Sequence, residues 1–295
     1  MDYRFSSMDQ VTERLGATGY LTDAMTANVV WLADRLGKPI LAEGPAGTGK
    51  TELAKALAAG TGARLIRLQC YEGLDESKAL YEWNYSKQLL RIEADRAMGG
   101  SQTWDEVSGD IFSEPFLLAR PLLEAIRATD PVVLLIDEVD RVEVETEALL
   151  LEVLSDFQVS IPELGTVTGT RRPLIVLTSN ATRDLSEALR RRCLYLHLDY
   201  PGLERERDII RARVPDIDAV LAAQMAGVVR AIRQLELKKA PSISETLDWA
   251  RTLVHLAADR LDEATIADTL HLLLKYERDI ARARSELPNL AARAR

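Results

Sequence analysis

Eight consecutive residues have the types and spacing that bind the phosphates of a nucleoside triphosphate. They are Gly44, Pro45, Ala46, Gly47, Thr48, Gly49, Lys50 and Thr51. An apolar run at 39–43 precedes them and strong helix formers at 51–59 follow, so the loop is predicted between a strand and a helix, where backbone N–H groups face an anion. Lys50 is expected to reach the β- and γ-phosphates of ATP, and the Thr51 hydroxyl is expected to bind Mg²⁺.

Two carboxylates come directly after a second apolar run. Residues 132–136 are Val-Val-Leu-Leu-Ile, which predicts a strand buried on both faces, and Asp137 and Glu138 follow. Open α/β sheets place ligands at the C-terminal ends of their strands. Asp137 is therefore predicted in the Mg²⁺ shell and Glu138 as the general base that activates water. An Asp-Glu pair alone is more typical of a helix cap, but this strand and the preceding loop favour the catalytic pair.

Composition limits the partners and the compartment. The 295 residues carry a formal net charge of −9, which argues against a nucleic-acid partner unless a hexamer pore concentrates the few cations. No apolar run reaches the ~18 residues that a membrane helix needs, and the N-terminus lacks the pattern of a signal peptide. Only Cys70 and Cys193 occur, which predicts inert core thiols, no disulfide framework and a cytoplasmic protein.

The order of the predicted elements indicates the fold class. Strands at 39–43, 64–69, 132–136, 173–180 and 194–198 alternate with helices at 10–36, 51–59, 116–128 and 145–157. Alternation of this kind predicts an α/β fold with a parallel sheet, here a phosphate-loop domain over 1–200. From Pro201 on only helices are predicted, at 204–212, 218–237, 243–258 and 263–284, so 201–295 is expected to form a helical lid with a frayed tail from Pro288.

The stretch 70–112 is too long for a simple connection and is rich in aromatic residues. These are Tyr71, Tyr81, Trp83, Tyr85 and Trp104. Two interpretations stay open and are compatible. The aromatics pack an inserted hairpin or helix onto the body of the domain, or they form a surface for a client or partner.

By residue 180 the chain resembles the AAA+ ATPases, and within them the MoxR branch. The loop at 44–51, the strand and acidic pair at 132–138 and a strand ending at Asn180 occur in the family's order, and the resemblance covers about 20–285. The segments 71–90 and 157–165 resemble MoxR members that accompany carbon monoxide dehydrogenase and molybdenum-enzyme maturation. The resemblance implies a chaperone-like ATPase in a ring, expected to be a homo-hexamer, with a von Willebrand factor A domain partner and a client metalloenzyme. It also implies an insertion in the second helix region and a hairpin before the strand at 173–180.

The same resemblance assigns further site residues. Asn180 would be sensor 1, which contacts the γ-phosphate or the attacking water. Arg192, with Arg191 as the alternative, would be the arginine finger that acts on the neighbouring subunit's nucleotide. Ser244 stands where the family has its sensor 2 arginine; Lys238, Lys239 and Arg251 are the substitutes considered. Ser242 and Glu245 fit a capping box at the start of that lid helix.

Three functions share these motifs. The first is an ATPase whose hydrolysis remodels a client metalloenzyme during its maturation. The second is a nucleotide-gated binding module that changes shape with little turnover, which the Ser244 departure leaves room for. The third is a DNA-processing motor subunit, against which the acidic composition argues.

Overall fold

The computed structural model describes residues 3–97 and 104–293. These residues group into two compact units by their internal packing. The first contains residues up to 14, 22–43 and 51–196, and the second contains 15–21, 44–50 and the residues from 197 on. Each unit has its own apolar core. The predicted division into domains at residue 200 stays a prediction.

The strands of the described range are short and belong to three sheets. In chain order they are β1 Ile40–Glu43, β2 Arg64–Gln69, β3 Tyr81–Trp83, β4 Leu117–Ala119, β5 Val132–Asp137, β6 Gln158–Ile161, β7 Gly165–Thr168, β8 Leu174–Ser179 and β9 Leu194–His197.

The helices of the described range occur in both units and make up most of the second. In chain order they are α1 Met8–Ala17, α2 Ala24–Leu36, α3 Lys50–Thr61, α4 Glu76–Ala79, α5 Tyr85–Ala97, α6 Trp104–Ile111, α7 Pro121–Arg127, α8 Val144–Asp156, α9 Glu187–Arg192, α10 Leu203–Arg213, α11 Ala219–Arg233, α12 Ile243–His255, α13 Glu263–Leu273, α14 Glu277–Ser285 and α15 Leu287–Arg293. Two short 3₁₀ helices occur at Glu114–Phe116 and Val139–Arg141.

The main sheet has the strand order β2-β5-β8-β1-β9. Strands β2, β5, β8 and β1 pair in parallel, and every residue of the central strands β5 and β8 is buried. Continuous apolar runs form such strands because helices cover both faces of the sheet. The predicted parallel-sheet α/β fold is confirmed. Parallel pairing brings the polar residues at the carboxyl ends of these strands to one edge.

Two antiparallel strand pairs lie outside the main sheet. Strands β6 and β7 form a hairpin just before β8, as the family resemblance implied. Strands β3 and β4 form the second pair, and α5 and α6 lie between them in the chain. The helix predicted over 116–128 is wrong at its start, because residues Leu117–Ala119 pair with β3 and the helix begins only at Pro121. Proline is well tolerated in the first helical turn, where its missing N–H would have no partner.

Aromatic residues of the stretch 70–112 have two kinds of environment. Trp83 is buried and packs edge-on against Tyr81 and Phe112, with ring centroids 6.4 and 5.3 Å away, as the packing interpretation predicts. Tyr85 is 61% exposed at the start of α5, and Leu89 and Leu90 on that helix are exposed as well. The side chain of Trp104 lies outside the described residues.

Two more predicted helices and the predicted frayed tail differ from the observed structure. The helix predicted over 10–36 is two, because Gly19 adopts a left-handed conformation and Asp23 caps α2. The helix predicted over 263–284 is interrupted between α13 and α14. The tail predicted to fray from Pro288 forms α15, which buries Leu290 in the core of the second unit. No helix among the described residues is both long and apolar enough to span a bilayer.

Candidate functional site

Asp137 is the buried centre of a polar cluster in the first unit. Its Oδ1 accepts hydrogen bonds from the hydroxyl of Thr51, at 3.0 Å, and from the hydroxyl of Thr178. Its Oδ2 is 2.6 Å from Nη2 of Arg67. The Asp137 side chain is 4% exposed, whereas that of Arg67 is 49% exposed. The carboxylate is therefore held by two hydroxyls and by one cation that reaches solvent.

The donor set around Asp137 fits Mg²⁺. Hard divalent cations prefer carboxylate and hydroxyl oxygens, and the Thr51 hydroxyl and Asp137 carboxylate that the sequence predicted as ligands are in direct contact. No cluster of three or more His, Cys, Asp or Glu in the described part of the chain could hold a metal ion. An ion at Asp137 would thus rely on few protein ligands, as Mg²⁺ usually does beside phosphates.

Glu138 has an unusual backbone conformation. Its φ and ψ are 57° and 48°, in the left-handed region, and its N–H donates to the Thr178 hydroxyl at 2.9 Å. The carboxylate Oε2 accepts from Nε2 of Gln69 at 3.2 Å and lies 2.9 Å from Nε of Arg141. Side-chain exposure of 32% leaves the carboxylate accessible to water. The predicted base is therefore fixed at its backbone and engaged by two polar partners.

Asp140 connects the acidic pair to Asn180. Its carboxylate accepts from the N–H of Asn180 at 3.2 Å, from the N–H of Thr182 at 3.0 Å and from the Thr182 hydroxyl at 2.6 Å. Burial opposes its ionisation, but the hydrogen bonds from Thr182 and Asn180 outweigh that effect and lower the pKa of this carboxyl. The loop that carries Asn180 is thereby attached to the segment that follows Glu138.

The three consecutive arginines of α9 have different partners. Arg190 lies 3.0 Å from the buried carboxylate of Glu43, which also accepts from the Tyr195 hydroxyl at 3.2 Å. Arg192 donates to the carbonyl of Ala188 and to a hydroxyl of α8. Arg191 forms an ion pair with Glu187 in which its own side chain is 79% exposed. Both predicted finger residues, Arg191 and Arg192, are exposed.

Residues 44–50 belong to the second unit. The positive φ angles of Gly44, Gly47 and Gly49 give the loop a backbone that other residues rarely adopt. Nζ of Lys50 donates to the carbonyls of Gly44 and Pro45 at 2.8 and 2.7 Å, so the ammonium is folded against its own loop. These contacts fix the loop in a compact turn with the predicted phosphate-binding residues consecutive along it.

The predicted capping box at the start of α12 is confirmed. The Ser242 hydroxyl accepts from the N–H of Glu245, whose carboxylate accepts in return from the Ser242 N–H at 2.7 Å. Ser244 is exposed. The substitutes considered for a sensor 2 arginine have partners within the second unit.

These partners are near in space and mostly near in sequence. Nζ of Lys238 lies 4.0 Å from the centroid of the Tyr276 ring. Lys239 pairs with Glu245, and Arg251 pairs with Asp248 three residues before it.

The sequence motifs missed several residues of the sheet-edge cluster. Gln69 and Thr178 stand at the carboxyl ends of β2 and β8, and a polar residue at that position was the available signal. Arg67 and Arg141 gave no signal, because their roles depend on which carboxylate lies beside them.

A parallel sheet, with a phosphate-loop sequence after its first strand and an acidic pair at the end of a central one, is the arrangement of the phosphate-loop α/β fold. Residues 40–198 match the family model described as "ATPase family associated with various cellular activities (AAA)". The chain belongs to this family.

Known proteins similar to this chain fall into two groups by coverage. Chaperone protein ClpB 2 of Parasynechococcus marenigrum is 33% identical over 137 residues, which is 46% of this chain and 13% of the chaperone. Denitrification regulatory protein NirQ of Stutzerimonas stutzeri is 23% identical over 71% of this chain and 69% of its own length. An uncharacterized Staphylococcus haemolyticus protein, SH1500, is 24% identical over 80% of this chain and 85% of its own length.

Among solved structures, a mutant of RuvB from Thermotoga maritima has the same fold. It superposes with a TM-score of 0.51 at 18% identity and covers 91% of this chain and 71% of its own. This chain therefore spans only a small part of the ClpB chaperones and most of RuvB and NirQ.

Proposed function

We propose that this chain hydrolyses ATP and uses the hydrolysis to remodel a client protein. The observation that carries the proposal is the contact of Thr51 with Asp137 beside Glu138, in a member of the AAA family. Residues 44–50 would hold the phosphates, Thr51 and Asp137 would hold Mg²⁺, and the ion would neutralise charge on the phosphate oxygens.

Glu138 would take the proton of the attacking water on its carboxylate. The hydrogen bond from the Glu138 N–H to the Thr178 hydroxyl fixes the backbone of this residue, and the Glu138 side chain is accessible to water. Asn180 would orient that water, from a loop that is held by Asp140. The arginine finger would be Arg191 and not Arg192. Both side chains bond within α9, but Arg192 is also held by a hydroxyl of α8.

We further propose that the chain acts in a homo-hexameric ring with a von Willebrand factor A domain partner and that the client is a metalloenzyme in maturation. The support is the resemblance of the segments 71–90 and 157–165 to the MoxR branch. Two similar proteins also support a chaperone-like or regulatory role: one is named a chaperone and the other a denitrification regulator.

A second candidate is a nucleotide-gated module with little turnover. The ion pair of Glu138 with Arg141 and the hydrogen bond from Gln69 favour it, because they occupy the carboxylate that would have to accept a proton. The two candidates differ in the rate of phosphate release and not in nucleotide binding.

The test compares phosphate release and ATP binding in three variants. Glu138→Gln is expected to keep ATP binding and to lose turnover by about 10²- to 10⁴-fold, the usual contribution of a general base. Lys50→Ala is expected to lose binding itself. Glu145→Gln, an exposed carboxylate in the first turn of α8, is the control and should resemble the wild type.

Equally low phosphate release in wild type and Glu138→Gln would leave the gated module. Equal and substantial turnover in both would instead remove Glu138 as the base.

The arginine finger is tested by mixing Arg191→Ala subunits with Glu138→Gln subunits. Because a finger acts on the neighbouring subunit's site, mixed rings would contain some interfaces with an intact Arg191 on one side and an intact Glu138 on the other. Such rings would regain activity that neither variant has alone. Full activity of Arg191→Ala and a loss in Arg192→Ala would assign the finger to Arg192.

A further inference from the structure

A hydrogen bond joins the phosphate loop to the first residue of α12. The backbone N–H of Ile243 donates to the carbonyl of Gly47 at 3.1 Å. Ile243 directly follows the N-cap Ser242, so its N–H is one of those that an α-helix leaves without a partner inside the helix. The loop carbonyl supplies that partner.

Gly47 permits this contact because it has no side chain. A Cβ built on Gly47 would lie 2.2 Å from Cβ of Ser242, a distance that would force the two backbones apart. The φ of Gly47 is +76°, which also favours glycine. In a phosphate loop the N–H groups point toward the anion, so a carbonyl is the group available for contacts on the loop's outer side.

A largely buried arginine holds the residue just before the N-cap of α12. Nε of Arg233 donates to the carbonyl of Pro241 at 2.9 Å, and the same guanidinium forms a two-pronged pair with Glu206, at 2.6 and 2.8 Å. Both side chains of that pair are buried. Together with the capping box of Ser242, these bonds present the Ile243 N–H in one fixed position.

We propose that the Ile243 N–H is a positioning group that keeps the phosphate loop in its binding conformation. The bond at Gly47 holds the loop as a whole and does not involve a side chain that would contact one particular phosphate. The bond therefore strengthens binding of ADP and ATP by the same factor. This role rests on the proposed function only in that the loop binds nucleotides. It gives α12 a backbone connection to the loop, within the second unit, that needs no arginine at position 244.

The discriminating variant is Ile243→Pro. Proline lacks the N–H but is well tolerated at the first position of a helix, and the extended conformation of Ser242, with φ −81° and ψ 169°, suits a residue before proline. Ile243→Ala is the matched control, because it also loses the side chain but keeps the N–H.

Dissociation constants of ADP and of a non-hydrolysable ATP analogue are measured by calorimetry with Mg²⁺, on the full chain. We expect Ile243→Pro to weaken both by a common factor of about 2 to 10 relative to Ile243→Ala, as expected for a neutral hydrogen bond. Equal constants in the two variants, or weakening of the ATP analogue alone, would overturn the proposal.

Hydrogen exchange tests the bond between the Ile243 N–H and the Gly47 carbonyl in the absence of nucleotide. In the wild type it does so without any substitution. The Ile243 amide should be protected in the wild type, and the amides of 44–50 should exchange faster in Ile243→Pro than in Ile243→Ala. An unprotected Ile243 amide in the wild type would overturn the proposal even if the proline variant failed to fold. If the wild type bound no nucleotide, the proposed function would fail, while exchange would still decide whether Ile243 positions the loop.

Discussion

The carboxylates at the sheet edge and the buried carboxylate of the helical unit have opposite kinds of partner. Asp137 and Glu138 pair with Arg67 and Arg141, whose side chains are 49% and 55% exposed. Glu206 pairs with Arg233, whose side chain is 9% exposed. An exposed arginine can leave when a metal ion or water replaces it, whereas an enclosed one cannot leave without stranding a buried charge.

The exposure of the partner distinguishes the proposed Mg²⁺ ligand Asp137 from Glu206, whereas burial alone does not. Asp137 and Glu206 are both almost fully buried. For Glu206, burial raises the pKa even though Arg233 and Thr246 work in the other direction. Asp137 and Glu206 therefore differ in how readily the arginine beside each carboxylate can be replaced.

The largest expected effect comes from breaking the enclosed pair. Arg233→Met should lower the free energy of unfolding by about 3–5 kcal/mol, because Glu206 would remain buried without its partner. Urea unfolding followed by circular dichroism measures the loss. The control is Arg282→Met, which removes an exposed partner of Glu286 and should cost less than about 0.5 kcal/mol. Similar small losses in both variants would remove the distinction between enclosed and exposed pairs.

A smaller effect is expected in how stability depends on pH, because the buried carboxylates of Asp140 and Glu206 have pKa values shifted in opposite directions. Hydrogen bonds lower the pKa of Asp140, so its contribution to stability is present above about pH 4, its unfolded value, and is lost as the pH falls through the folded value. Burial raises the pKa of Glu206, so its contribution is largest below the unfolded value and declines as the pH rises through the folded value.

The stability difference between wild type and Asp140→Asn should therefore grow with pH, to about 1–2 kcal/mol at neutral pH. The difference between wild type and Glu206→Gln should fall over the same range. Urea midpoints from about pH 3 to about pH 7 give both curves. Two curves of the same slope would show that these carboxylates do not differ in the way their surroundings indicate.

The smallest effect concerns the exposed arginine of the sheet edge. Arg67→Met should change stability by less than about 0.5 kcal/mol. It should lower the Mg²⁺ concentration for half-maximal phosphate release by up to about fivefold, because Asp137 would lose a competing cation. Arg64→Met, on the same strand but paired with Glu124 and Asp130, is the control. A large stability loss in Arg67→Met would make its pair structural.

The central strands β5 and β8 could be predicted because each begins with a continuous run of apolar residues. Because these runs have no polar face, they are expected to be buried on both sides of the sheet, as β5 and β8 are. Asp137 and Glu138 then stand at the carboxyl end of β5, where parallel sheets place ligands. The interruption after Leu273 and the start of α7 were missed. Pro121 was an available local signal for the start of α7, whereas no Gly or Pro marks the interruption after Leu273.

Partners of the predicted site residues could not be predicted in the same way. Gln69 is about seventy residues from Glu138 in sequence, and only the pairing of β2 with β5 brings them together. Likewise, nothing local indicates that Ile243 meets Gly47. The side chains that carry a motif are visible in sequence, whereas the groups that orient them are defined by the register of the sheet and the placement of α12.

The left-handed backbone of Glu138 has a consequence for selection in the laboratory. A side chain at this φ costs roughly 1 kcal/mol relative to glycine, and asparagine adopts it more readily than glutamate. A library screened only for thermal resistance should therefore enrich Gly or Asn at this position, and each replacement would discard the proposed base. Robustness and turnover compete at a single residue, so a screen for hardier variants of this chain must retain an activity step.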